Sequence, residues 1–146
     1  MSAPAPLVKV VGVCGSGKST LARQLVAQGF DARQVSQEHS GVPDLWRRRH
    51  PPAALIYVEA SNEVIRQRYP HLDLTDAYLA EQRRRLAHAR AHADCYLDTD
   101  GLTPAEVLAQ ALVCLGSVVS SHLFSATIQK RFKTCTELCQ SRNFKV

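Results

Sequence analysis

Residues Gly12 to Ser19 read GVCGSGKS, and this stretch decides the fold of the 146-residue chain. It matches the GxxxxGKS pattern of a phosphate-binding loop at every fixed position. Because glycine has no Cβ, the loop can adopt backbone angles at which successive N–H groups converge on phosphate oxygens, and a helix that begins there adds the positive end of its dipole. We predict a nucleotide site formed by Gly12, Gly15, Ser16, Gly17, Lys18, Ser19 and Thr20.

Three side chains of the loop have individual predicted roles. Lys18 would reach the β- and γ-phosphates, and the Ser19 hydroxyl would ligate Mg²⁺. Thr20 would hydrogen-bond farther back on the phosphate chain. The motif therefore predicts ATP and Mg²⁺ as cofactors.

The sequence on either side of the loop predicts the strand and the helix that such a loop joins. Leu7 to Val11 form a short, largely β-branched apolar run that is typical of a strand buried on both faces. After the loop, Leu21 and Leu25 keep helical spacing as far as Gly29, a residue that suits a helix C-terminus.

The rest of the chain predicts strands in alternation with helices. Thr103 to Glu106 form a capping box, and Ser61 or Asn62 can cap an earlier helix. The alternation predicts an α/β fold with a short, mostly parallel sheet, in which ligands bind beyond the carboxyl ends of the strands. The predicted strands lie at Ala32 to Ser36, Ala54 to Val58 and Cys95 to Leu97, and two further helices lie at Asp76 to about Ala93 and at Pro104 to about Leu115.

Charge divides the chain into two parts. Residues 1–116 are nearly neutral and long enough for one nucleotide-binding domain, so charge does not suggest that this body binds nucleic acid. Residues 117–146 hold five basic residues and one acidic residue, and helical spacing from Phe124 to Cys139 predicts a basic amphipathic helix. Three roles for this tail stay open: docking on the core, binding a membrane surface or a partner, or no part in the core's function.

The sequence predicts a cytoplasmic protein, because neither a secretory signal nor a membrane span is visible in it. The five cysteines are an odd number without a paired framework, which suits a reducing compartment. Cys14 is either a small side chain that fills a variable loop position or a redox-sensitive thiol.

Segments beyond the loop carry a resemblance to a known family. They are ALIYVEAS at Ala54 to Ser61, the helix with Arg66 and Arg68, and CYLDTDGLTPAEV at Cys95 to Val107. With them the chain resembles small P-loop kinases over roughly residues 7–115, and it is most similar to the nucleoside monophosphate kinase, shikimate kinase and gluconate kinase group.

The chain also resembles a little-characterised bacterial family of small ATP-binding proteins. Its QEHS and PDLW-like segments recur here at Gln37 to Ser40 and Pro43 to Trp46. Together the resemblances imply a three-layer P-loop NTPase fold and ATP-dependent phosphoryl transfer to a small hydroxyl- or phosphate-bearing metabolite. They also imply that the base of the nucleotide rests near Asp98 to Gly101.

The chain departs from the kinase pattern where a Walker B aspartate is expected. The kinases usually carry an apolar strand that ends in Asp before the strand matching ALIYV, and no such segment fits between Gly41 and Leu55. Glu38, at the end of the second predicted strand, is the best substitute as an outer ligand of magnesium or as a general base. A solvated loop glutamate is the alternative for Glu38, and Glu59 competes for the same role.

Arginines in two places are candidates for contacts with anionic groups. On the predicted long helix, Arg83 and Arg90 lie near the apolar stripe, whereas Arg84 points away from it. The resemblance implies that Arg83 and Arg90 close over the transferring phosphates; the alternative is that their stems cover the helix edge with their heads in water. Arg47 to Arg49 would suit an anionic acceptor or form a surface charge run.

Three functions stay open at this point. The preferred prediction is an ATP-dependent small-molecule kinase in which Lys18, Glu38, Arg83 and Arg90 are catalytic. The alternative is a nucleotide-binding regulator or weak ATPase without a small-molecule acceptor, which the missing Walker B aspartate and the short acceptor region favour. The third is a structural relic whose tail mediates assembly.

Overall fold

The computed structural model describes residues 4–119, in which strands and helices alternate along the chain. Two short 3₁₀ turns, Gln37–His39 and Leu45–Arg47, lie between the second and third strands. The other elements are β1 (Leu7–Gly12), α1 (Lys18–Ala27), β2 (Asp31–Gln34), β3 (Ala54–Glu59), α2 (Asn62–Arg68), α3 (Asp76–Arg85), α4 (Ala87–His92), β4 (Cys95–Asp98) and α5 (Pro104–Val119).

The four strands form one sheet in the order β2-β1-β3-β4, and each pairing is parallel. The α/β class and the parallel sheet are therefore confirmed. In β1, Val10 lies opposite Gln34 of β2 and Ile56 of β3, so the carboxyl ends of these strands meet at one edge of the sheet. Because β2 pairs directly with β1, no strand separates them in the described chain, and residues 41–53 contain none.

Helices pack on both faces of the sheet, an arrangement that fits the predicted three layers. On one face, Leu21 and Leu25 of α1 and Leu115 of α5 pack with Val8 and Val10 of β1. The other face is covered by α2, α3, α4 and the second 3₁₀ turn, whose core side chains are Ile65, Leu79, Leu86, Ala89 and Trp46. Burial on both faces explains why the central strands are largely apolar, with Lys9 as the charged residue within β1.

Hydroxyl side chains begin three of the helices. Ser61 Oγ accepts the N–H of Val64 at 3.3 Å, which confirms the predicted cap of α2. Thr103 Oγ1 accepts the N–H of Glu106 at 3.2 Å, which is one half of the predicted capping box. α3 begins in the same way, with Thr75 as its cap. These contacts hold the turns that follow the sheet.

The single helix predicted from Asp76 to Ala93 is wrong, because the structure has two helices, α3 and α4, with Leu86 between them. The Leu86 N–H lies 3.1 and 3.2 Å from two carbonyl oxygens of the preceding turn, so the helix tightens there. Gln37 Nε2, which donates to the Val42 carbonyl at 2.7 Å, makes a longer contact of 3.5 Å with the neighbouring Arg85 carbonyl. The break is confined to Leu86, because the hydrogen bonds from Leu86 to Gln82 and from Arg90 to Leu86 persist across it.

Cys95 and Cys114 form a disulfide, so the prediction that the cysteines lack a paired framework is wrong. Cys95 begins β4, and Cys114 lies on α5, which packs against the same face of the sheet. Packing brings their Cα atoms within 6.0 Å although 19 positions separate them. Cysteine usage therefore no longer supports a reducing compartment. Cys14 is free.

α5 is described as far as Val119, so the predicted boundary between residues 116 and 117 falls within this helix. The amphipathic helix predicted for the basic tail lies outside the described residues beyond that point. Across residues 4–119, no helix has the length and apolar character that a membrane crossing requires.

Candidate functional site

The predicted phosphate-binding loop joins β1 to α1 at the carboxyl edge of the sheet. A Cβ on Gly12 would lie 2.2 Å from the Val58 carbonyl oxygen, so only glycine lets the loop pack this closely on β3. Gly17, the N-cap of α1, has a φ of 108°, which side chains rarely adopt. A helix that begins behind a glycine has no side chain to occupy its first N–H groups, and an anion can take them.

Lys18 and Glu38 form a buried ion pair beside the loop. Lys18 Nζ lies 3.2 Å from Glu38 Oε1 and donates to the Val13 carbonyl at 3.3 Å, so the lysine folds back across the loop. The two residues are 8% and 4% exposed. Burial rules out the alternative that Glu38 is a solvated loop glutamate. The exposed His39 approaches the same carboxylate oxygen at 3.6 Å.

Three side chains around the loop have buried polar atoms without a hydrogen-bond partner in the described chain. The atoms are Glu38 Oε2, Ser16 Oγ and Gln82 Nε2. Such atoms are rare in folded proteins, because each loses its bonds to water without replacing them. Their concentration here is the pattern expected of a site that a ligand completes.

Ser19, the predicted magnesium ligand, is held by a residue that the sequence did not single out. Its hydroxyl donates to Gln34 Oε1 at 3.0 Å. Gln34 ends β2, which lies directly beside β1. The predicted strand extended to Ser36, so Gln34 lay inside it and carried no signal of a site.

Arg68 and Thr99 hold the second half of the loop, Gly15 to Ser19; its first half is Gly12 to Cys14. Arg68 Nη1 donates to the Gly15 carbonyl at 2.8 Å, and Thr99 Oγ1 donates to the Ser16 carbonyl at 2.9 Å. The guanidinium also contacts Thr99 Oγ1 at 3.2 Å, which joins the two supports. With these carbonyls tied down, the loop is fixed before any ligand arrives.

A cavity of about 220 Å³ opens beside this second half of the loop. It combines the planar side chains of an arginine and a tyrosine with apolar groups, and it includes Thr99 of the segment predicted to receive the base. Its lining includes Gly15, Thr20, Arg68, Tyr69, Leu102 and Pro104.

The first half of the loop is held from α3. Gln82 Oε1 accepts the Cys14 N–H at 2.9 Å. Gln82 is 2% exposed, and the sequence analysis missed it because a glutamine on a predicted helix carries no motif.

As predicted, Arg84 points away from the core, because its side chain is 76% exposed, whereas that of Arg83 is 28% exposed. The anionic partner of Arg83, however, is Glu59, with Nη2 3.0 Å from Oε1. Arg83 Nη1 also donates to Asn62 Oδ1 at 2.6 Å. The buried Tyr57 hydroxyl donates to the same Glu59 carboxylate at 3.3 Å. The pKa of Tyr57 is raised, mainly because the hydroxyl is buried and secondly because the negative charge of Glu59 is close to it. Glu59 therefore anchors α3 to the end of β3.

The other arginine candidates lie on the surface. The Arg90 guanidinium is exposed and sits over the Tyr96 ring, 5.4 Å from its centroid. Arg47 and Arg48 both pair with Asp44 at 3.2 and 2.9 Å, and the hydrogen bond from Arg48 is the first cause of the lowered pKa of Asp44. Of the four predicted catalytic residues, the structure thus brings Lys18 and Glu38 together.

No model of a protein family matches the chain, and no curated protein does. Among residues 4–119, no group of three or more His, Cys, Asp or Glu side chains is arranged to hold a metal ion.

Proposed function

We propose that this protein binds Mg·ATP at Gly12 to Thr20 and transfers the terminal phosphoryl group to a small acceptor. One observation carries the proposal: a buried lysine and a buried carboxylate are paired at the N-terminus of α1, and one carboxylate oxygen has no hydrogen-bond partner among residues 4–119. A pair of this kind is costly to bury, and its position beside a glycine loop matches what a phosphate and a divalent cation require.

The residues at the loop fit a magnesium nucleotide. The N–H groups at the start of α1 and Lys18 would hold the phosphates, and the Ser19 hydroxyl would meet the metal. The free oxygen of Glu38 would accept a hydrogen bond from a water molecule bound to the metal. Glu38 would thereby take the role of the missing Walker B aspartate. When bound, Mg²⁺ supplies positive charge that neutralises the phosphates during transfer.

The cavity beside Arg68 supports binding of the nucleoside. Planar guanidinium and phenol groups at Arg68 and Tyr69 favour stacking on a flat base, and Leu102 and Pro104 contribute apolar surface. Because Arg68 also holds the Gly15 carbonyl, a base stacked there would lie beside the second half of the loop.

Phosphoryl transfer requires positioning and charge more than covalent chemistry. In this proposal Glu38 holds the metal or accepts the proton of the acceptor hydroxyl. The acceptor would lie under the segment of the two 3₁₀ turns, which Gln37 fixes by accepting the Trp46 N–H at 3.0 Å. Arg83 would have to leave Glu59, and Arg90 would have to leave Tyr96, before either met a phosphate.

The engagement of these arginines favours a second candidate, a nucleotide-binding regulator or weak ATPase. Arg83 has a carboxylate partner already, and Arg47 and Arg48 share the single carboxylate of Asp44. A site in which Arg83 keeps this partner would bind nucleotide but would lack that arginine for stabilising a transferring phosphoryl group.

Isothermal titration calorimetry of ATP with Mg²⁺ tests the binding step. Lys18→Ala removes one charge-assisted contact, which corresponds to about tenfold to hundredfold in affinity. Arg23→Ala removes an exposed cation from the same helix and should leave affinity unchanged. Equal affinity in Lys18→Ala and the parent, with both folded by circular dichroism, would exclude the loop as the site. Acceptor-dependent release of ADP then separates the kinase from the regulator.

A further inference from the structure

Gln82 carries a buried amide whose nitrogen has no partner in the described chain. Its oxygen accepts the Cys14 N–H at 2.9 Å. Because a backbone N–H can only donate, this contact fixes which end of the amide is the oxygen. The end left over is a hydrogen-bond donor, held in a side chain that is 2% exposed.

The position of Gln82 along the loop indicates what this donor would meet. Cys14 follows Val13, whose carbonyl accepts Lys18 Nζ at 3.3 Å, and Lys18 pairs with Glu38. Gln82 therefore attaches to the first half of the loop, next to the carbonyl that Lys18 Nζ contacts, whereas Arg68 attaches at Gly15, where the second half begins. A nucleotide with its base beside Arg68 and its β- and γ-phosphates at Lys18 would bring its terminal phosphate towards this first half.

We propose that Gln82 Nε2 donates to the terminal phosphate of a nucleoside triphosphate and makes the site prefer the triphosphate to the diphosphate. This inference rests on the proposed nucleotide binding. A neutral amide adds a donor without adding a second positive charge beside Lys18, and the contact with Cys14 holds the side chain in place before the ligand arrives. A donor fixed in advance loses little freedom on binding.

Gln82→Glu is the sharpest test, because it keeps an oxygen for the Cys14 N–H and replaces the donor with a negatively charged acceptor that would repel a terminal phosphate. Calorimetry on the full chain with Mg²⁺ would compare ADP with a non-hydrolysable ATP analogue. We expect the affinity for the ATP analogue to fall by about tenfold or more and the affinity for ADP to stay within about twofold. Gln67→Glu places the same charge on an exposed position of α2 and should change neither value.

Gln82→Met removes donor and acceptor without adding charge, and it decides the question if the buried glutamate prevents folding. We expect it to lower the preference for the triphosphate by about threefold or more. Unchanged preference in the folded variants, or an equal loss for both nucleotides, would give Gln82 a structural role only. If the parent protein binds neither nucleotide, the proposed function fails as well, which is a different result from a parent that binds both and variants that keep its preference.

Discussion

Glu38→Gln separates two demands that the proposed site makes on one carboxylate. In the structure Glu38 Oε1 lies 3.2 Å from Lys18 Nζ. Without a metal, ATP must take Lys18 from Glu38 and bring its own negative charge next to a buried carboxylate. With Mg²⁺, the same carboxylate gains a cation to hold. We therefore expect the charge of Glu38 to oppose ATP binding in the absence of metal and to favour it in the presence of Mg²⁺.

The distance sets the size of the effect. Two unit charges 3.2 Å apart attract by about 5 kcal/mol at an effective dielectric constant of about 20. Desolvation of the pair offsets much of this, and if about a quarter to a half survives, the change in affinity is about tenfold to hundredfold. We expect metal-free ATP affinity to rise by about tenfold in Glu38→Gln and the enhancement of affinity by Mg²⁺ to fall by at least that factor.

Calorimetric titration with ATP, in Mg²⁺ and in a chelator, measures both quantities. Glu59→Gln is the matched control, because Glu59 is also largely buried and paired but its partner is Arg83 rather than Lys18. The control should keep the enhancement by Mg²⁺ of the parent. An unchanged enhancement in folded Glu38→Gln, or an equal change in Glu59→Gln, would refute the assignment of the metal side of the site to Glu38.

Two further predictions concern stability, and thermal or denaturant unfolding checks both. Cys114→Ser opens the disulfide between β4 and α5 and should lower the free energy of unfolding by about 3 kcal/mol. Cys14→Ser, at a free cysteine, should have little effect. Equal stability of the two variants would mean that the disulfide does not contribute to stability. Arg83→Ala leaves Glu59 without its ion pair and should lower the free energy of unfolding by about 1–3 kcal/mol. Arg84→Ala should change it by no more than about 0.5 kcal/mol. A larger loss for Arg84→Ala would contradict the observed orientation of α3, in which Arg84 faces solvent.

The sequence predicted the parts of the fold that local patterns determine. The loop motif, the apolar positions of β1 and β3, and the caps at Ser61 and Thr103 are each recognised from residues within a few positions of one another. Their signals are therefore complete in short windows of sequence. The same holds for the different exposures of Arg83 and Arg84, which follow from their separation of about 100° around the helix.

The parts that failed depend on contacts between distant segments. The break at Leu86 lies where Gln37, from a distant 3₁₀ turn, packs beside the helix, with its Nε2 3.5 Å from the Arg85 carbonyl. The disulfide depends on how closely α5 packs on the sheet, which no spacing of cysteines reveals. Periodicity placed Arg83 toward the core correctly but could not choose between Glu59 and a phosphate as its partner.

The supports of the loop explain the same division for the candidate site. Gln34 and Gln82 have no motif of their own, and Arg68 was named only as part of the helix that carries the resemblance. Each of the three acquires its contact with the loop because the fold brings it there. A motif names the residues that face a ligand, whereas the residues that hold the motif in place come from any element that packs beside it.

These supports also frame the choice between the two proposed functions. α2 contacts the loop through Arg68, and α3 contacts it through Gln82, so phosphates bound at the loop would act on contacts made by both helices. A regulator requires only this link between the bound nucleotide and the two helices, without a rearrangement of Arg83. A kinase needs more, because Arg83 on α3 must exchange Glu59 for a phosphoryl group. The Arg83–Glu59 contact is therefore the point at which the two functions make opposite demands on one structure: it persists in a protein that only binds nucleotide, and it opens in one that transfers phosphate with the help of Arg83.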